Sequence, residues 1–147
     1  MGKEIFRQGL EGSGVSEEII QKKTANYFIP VDQAIIPDIS YFSGDGGQKI
    51  FSNYVKKNGL WIGGAVYLSS SSIFFKANAL NAALNANNPL AASIPLNDIK
   101  LLNFKKAIGT SIISVLSETD SLVFRCFGAK NFLLRISEMV PKVKVVS

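Results

Sequence analysis

The side chains best suited to chemistry in this chain are lysines, and several of them come in pairs. Lys56 and Lys57 precede Asn58-Gly59, Lys105 and Lys106 precede Ala107-Ile108-Gly109, and Lys76 follows two phenylalanines. Adjacent ammonium groups act as point charges for phosphate oxygens. Lys56, Lys57, Lys76, Lys105 and Lys106 are therefore the candidate ligand-binding set for an anionic head group, with Lys100 beside the second cluster. A net charge of +5 and an isoelectric point near 9.4 make the surface mildly attractive to phosphates, anionic lipid or acidic proteins. Nucleic acid is an unlikely partner, because Phe104 is the only ring beside the second cluster and base stacking needs interleaved aromatics.

Other chemistry is largely excluded by residue type. The chain has no histidine and one cysteine, Cys126, so an intramolecular disulfide is impossible. Zinc and most redox-metal sites need clusters of those two residues, and His-based acid–base or nucleophilic catalysis needs the imidazole. No metal and no cofactor is expected. Cys126 shares a strand face with Leu122 and Phe124, which predicts a buried, inert thiol. The carboxylates are scattered, and no pair such as Asp98 and Glu118 can be brought together from sequence. The chain is expected to be a non-catalytic binding or scaffolding module, not an enzyme.

The elements that must position these residues follow from patterning. With 147 residues, 47% hydrophobic and 18% charged, the chain is long enough for one folded domain with a real core. Its apolar runs fall far short of the roughly twenty residues needed to span a bilayer. Met1 to Gln8 carries charges where a signal peptide needs an apolar stretch, and Arg7 stands near where a myristoylation signal at Gly2 has Ser or Thr. These features predict a cytoplasmic protein, at most peripheral to a membrane.

Residues 1–46 read as an N-terminal extension. Ser16 as N-cap, Glu17 and Glu18 in a first turn, and Lys22 and Lys23 near the end predict a short helix over 16–26. Pro30 and Pro37 make 28–39 an extended apolar strap, and Gly44-Asp-Gly-Gly47 marks a flexible break. From residue 47 to 141, short apolar runs separated by turns predict strands at 49–55, 61–68, 72–76, 92–96, 99–105, 111–117 and 121–127. Pro95 demands an edge or a bulge. Ser69 to Ser72 read as a hairpin turn that cannot pack. Residues 77–92, rich in alanine and asparagine and free of charge, combine helix-forming and loop-forming signals and read as a mobile linker suited to protein contact. A closing helix runs from Lys130 to Met139, with Phe132, Leu133, Ile136 and Val140 on one face, and Pro141 stops it. Residues 142–147 are a short tail. Phe124, Cys126, Phe132 and Ile136 are expected in the core.

Two of these pieces carry a resemblance. Gly63-Gly-Ala-Val-Tyr-Leu-Ser-Ser-Ser-Ser-Ile-Phe-Phe-Lys76, followed by Ile94-Pro-Leu-Asn-Asp-Ile99, resembles the GRAM-like, pleckstrin-homology-type (PH-like) domains, from Gly47 to Val140. The resemblance implies a mainly β fold: a seven-stranded, strongly bent antiparallel barrel capped at one open end by a C-terminal helix. It also implies that Lys56-Lys57 occupies the loop that can cradle an inositol phosphate. The strand that should add a basic residue, Ala65 to Ser70, has none, and Lys76-Ala-Asn-Ala-Leu-Asn81 lacks the family's histidine. The function expected is therefore protein–protein interaction, including self-association. The alternative is peripheral binding to anionic membrane through the lysine loops.

Overall fold

The computed structural model describes residues 4–6 and 17–147; the readings of Gly2, Arg7 and Ser16 lie outside the described residues. In chain order its elements are β1 (Glu4–Phe6), β2 (Glu17–Ile29), α1 (Ser40–Asn58), β3 (Leu60–Ser69), β4 (Ser72–Ala77), α2 (Ala79–Leu84), β5 (Ala91–Pro95), β6 (Leu101–Lys105), β7 (Ser111–Leu116), β8 (Ser121–Cys126), α3 (Ala129–Met139) and β9 (Lys144–Val146). The strands form one sheet in the order β5-β4-β3-β2-β8-β7-β6-β9, with β1 beside the start of β2. Every pairing is antiparallel except β6 with β9. The sheet curves enough for β5 to touch β8.

The middle of this sheet corrects the sequence reading. Residues 17–29 are a strand, not the helix expected over 16–26. The helical charge order is a local preference worth tenths of a kcal/mol per contact. A ladder on both edges of the strand outweighs it. β2 pairs with β3 from Ile19↔Ser69 to Ile29↔Leu60, and with β8 through Asn26↔Arg125 and Tyr27↔Phe124. From Thr24 onward its side chains alternate, with Ala25 and Ile29 in the core. Residues 17–29 are therefore part of the sheet and not an extension beside it. At the other terminus, the tail expected over 142–147 lays Lys144–Val146 along β6.

The second correction is α1. Residues 49–55, expected as a strand, lie in a helix that also absorbs the supposed glycine break. Phe51 and Val55 are four residues apart, so helical geometry turns both onto the core. Gln48 ties the start of the helix down: its side-chain oxygen accepts from Ile39 N–H at 2.6 Å and its amide donates to Pro37 O at 3.2 Å. Asp38 accepts from both Ser40 N–H and Ser40 Oγ, and these bonds hold its carboxyl below the usual range. Only Gly44, with φ 72°, departs from helical geometry and kinks the helix. The strap, expected over 28–39, is confined to 30–39. A side-chain amide holds it: Asn88 accepts from Ile35 N–H at 2.6 Å and donates to Ile35 O. Residues 77–92 are ordered around α2, whose N-cap Asn78 accepts from Asn81 N–H at 2.9 Å.

Several strand, helix and core expectations agree with the structure. β3 and β4 form the hairpin, though its serines do pack. Ser69 Oγ, fully buried, accepts from Ser72 N–H at 3.0 Å and donates to Ser72 O at 3.1 Å. Pro95 ends β5, which among the described residues has a neighbouring strand on one side only. Ile113, Val115, Leu122, Phe124 and Cys126 are buried, as are Phe132, Leu133, Ile136 and Val140 of the α3 stripe. The Phe132 ring meets Phe124 edge-on at 6.0 Å, so α3 fills the concave side of the sheet. Burial pushes the Cys126 thiol pKa up, against a smaller opposing pull from Lys23, which favours the unreactive protonated form. One backbone approach is tighter than any side chain allows: a Cβ on Gly64 would land on the Lys76 carbonyl oxygen of β4.

Three stability outcomes follow. Replacing Phe132 with Ala should cost about 3–5 kcal/mol in urea denaturation; a loss below about 1 kcal/mol would mean that α3 does not fill the core. Gly64→Ala should destabilise by about 1–3 kcal/mol through overpacking, whereas Gly46→Ala, with open space around it, should stabilise α1 by about 0.5–1 kcal/mol. Equal effects at the two glycines would contradict the placement of both.

Candidate functional site

The five candidate lysines do not form one site. Lys56 and Lys57 are exposed in the last turn of α1, where a cation complements the helix dipole, and not in a loop between strands. Lys76 is half-buried in β4, opposite Ala65 of β3 and Ala91 of β5. Lys105 ends β6 and Lys106 enters the β6–β7 turn, both exposed. Sheet order puts β3, β2, β8 and β7 between the strands of Lys76 and Lys105. Register separates the two pairs as well. Lys105 aligns through Ile112, Arg125 and Asn26 to Gly63, while α1 joins the sheet at Leu60, opposite Ile29. β6 therefore ends at the Gly63 row, and the chain leaves it at Lys106 on the side away from α1.

The structure instead gathers three other surfaces. On the outer face of the sheet, the Arg125 guanidinium lies 4.3 Å from the centre of the Trp61 ring, and Phe28 tilts against that ring at 4.9 Å. A parallel set runs along the same face: Lys22 lies over Tyr67 at 5.5 Å, and Tyr67 stacks on Phe74 at 5.0 Å. Cross-strand contacts of this kind are worth about 0.5–1 kcal/mol each at exposed sites. They occupy Lys22 and Arg125 with rings that are half-buried or, at Phe74, buried. Sequence reasoning placed Arg125 outward but missed its partner, because the Trp61 contact passes over β2 and needs the register of three strands.

The second surface is a polar cleft of ≈ 330 Å³ at the seam where β5 approaches the β7–β8 turn. Ser93 and Ile94 line one side, Thr119 and Asp120 the other, with Tyr27 and Gln33 at its floor and rim. Burial raises the Tyr27 hydroxyl pKa, so that side chain stays neutral there. A smaller opening beside it is lined by Asp98, Glu118 and Lys100, acids that no local pattern pairs. Among the described residues, no group of three or more His, Cys, Asp or Glu converges.

The third surface is the end of the sheet where the β6–β7 turn meets the start of α3. Ala107 N–H donates to Ser111 Oγ at 3.2 Å, closing the turn, and Gly109 takes φ 81° within it. Ile108 at the tip is fully exposed and Phe127 is 70% exposed. The two loops adjoin, since a Cβ on Gly109 would lie 3.8 Å from the Phe127 ring. Lys105 and Lys106 precede Ile108 by three and two residues and Lys130 follows Phe127 by three, all of them exposed, and Lys23 Nζ lies 3.3 Å from the position of a Cβ on Gly128. Among the described residues, no helix is long and apolar enough to cross a membrane.

No family model and no curated protein matches the chain. Among solved structures, the C-terminal domain of an unknown protein from Leishmania infantum is similar to it, with 12% identity and a TM-score of 0.50. The similarity covers 92% of this chain and 94% of that one. At that identity the likeness speaks to the fold alone. It is a mainly β domain with a mostly antiparallel sheet and a C-terminal helix.

Proposed function

We propose that this chain is a non-catalytic binding module of the pleckstrin-homology type, resembling GRAM domains, that acts in the cytoplasm through protein contact, including contact with a second copy. Seven antiparallel strands, β2 to β8, followed by α3 on the concave side, support the fold reading. The contact of β5 with β8 supports closure toward a barrel.

The observation that carries the functional reading is the open edge of β5. Ala77 N–H donates to Leu90 O, and Leu96 N–H donates to Ser71 O, on either side of the strand. In an antiparallel ladder these bonds alternate. Even-numbered residues of β5 therefore face β4, and Ala91 and Ser93 turn their N–H and C=O groups outward. Those groups find no backbone partner among the described residues. Edge strands are usually protected by charge, yet Ala91-Ala-Ser-Ile-Pro95 has none. Two such edges can pair antiparallel across a two-fold axis, with the Ser93 residues exchanging N–H···O bonds. Val31 and Ile35 of the strap, 46% and 51% exposed, add apolar area nearby. Anionic lipid is the second reading, favoured by the exposed lysines at the β6–β7 turn.

Light scattering over a range of concentrations tests the first reading. A concentration-dependent dimer is expected. Ser93→Pro removes an outward N–H without costing a bond to β4, and Ser93→Lys places a charge on the edge; both should leave a monomer. A protein monomeric at every concentration would rule out self-association, and a dimer indifferent to both changes would move the contact elsewhere.

A further inference from the structure

We propose that the end of the sheet formed by the β6–β7 turn and the start of α3 docks on a bilayer surface rich in anionic lipid, with Ile108 and Phe127 inserted among the head groups. The proposal rests on the lipid reading above and gives it a site distinct from Lys56 and Lys57.

Three observations converge. The first is exposure: Ile108 is the most exposed large hydrophobic side chain described, and its neighbour Gly109 lies beside the exposed Phe127 ring of a different loop. The turn geometry that presents Ile108 is fixed by the Ala107–Ser111 bond and by the positive φ of Gly109. The second is charge. Lys105, Lys106 and Lys130 are exposed around the tip and Lys23 lies against Gly128. No Asp or Glu occurs between residues 99 and 117 or between 121 and 137, so both loops are free of counter-charge. The third is size. Two side chains offer far less than the roughly 800 Å² per partner that a stable protein interface buries, whereas a narrow apolar tip ringed by ammonium groups suits a head-group layer. A second copy docking tip to tip would bring the lysines of both together. The surface therefore favours an anionic sheet of lipid over either kind of protein.

Sedimentation with phosphatidylcholine vesicles, with and without phosphatidylserine, at low and high salt, tests this. The whole chain should sediment only with the anionic vesicles, and less so in high salt, because screening acts on the lysines. Two double variants, Lys105→Glu with Lys106→Glu and Ile108→Ser with Phe127→Ser, should each weaken binding at least tenfold, with far-ultraviolet circular dichroism unchanged. The Lys56→Glu, Lys57→Glu variant should bind as the unaltered chain does. Binding lost only in that last variant would overturn the tip while leaving the lipid reading in place. Absence of sedimentation by the unaltered chain, even at low salt, would overturn both.

Discussion

The architecture depends on one strand being bonded along both edges. β2 runs for 13 residues, with β3 on one side and, on the other, β1 at its start and β8 near its end. Among the described strands it alone bonds to both the β3–β4–β5 half and the β6–β7–β8 half of the sheet. Both halves supply core residues, Ile62, Val66 and Phe75 from one and Leu102, Ile113 and Phe124 from the other. Without β2 these faces would have no common surface, and α3 would have nothing to close. A ladder of ten aligned positions with β3 outweighs the helical signals that Glu17, Glu18, Lys22 and Lys23 carry locally.

That constraint also places the surfaces. Because β2 joins the halves, β5 is left at the sheet's free edge, uncharged, while β6 at the other end has its edge covered by Lys144–Val146. The antiparallel run from β8 back to β6 sends the β6–β7 turn out beside the first turn of α3. That juxtaposition brings the loops that carry Ile108 and Phe127 side by side although the two residues are nineteen positions apart in sequence. An apolar tip amid lysines and an uncharged strand edge suit different partners, one electrostatic and one built on backbone bonds. They also lie on different elements, so a module could use both at once.

Some of this was legible in the residues and some was not. β3, β4, β7, β8 and α3 read correctly because each carries a strong period of its own: alternation in Ile113-Ser-Val115 and Leu122-Val-Phe124, and a helical stripe in Phe132, Leu133 and Ile136. β2 and α1 were misread because their decisive partners are remote. Ile50-Phe-Ser-Asn-Tyr-Val55 favours a strand on propensity, and only Phe51 and Val55 meeting the core makes it a helix. The lysines could be recognised as charge but not as a constellation, since their separation depends on register. Arg125 over Trp61, and Asp98 beside Glu118, arise from pairings that no local pattern encodes.

Hydrogen exchange read by mass spectrometry tests the central claim most directly. If β2 is the common strand of both halves, peptides covering residues 24–29 should exchange only through global opening, at the same rate as those from β3 and β8. Protection of 24–29 that is lost well before that of β7, β8 and α3 would contradict it, and would return these residues to an appendage on a sheet that stands without them.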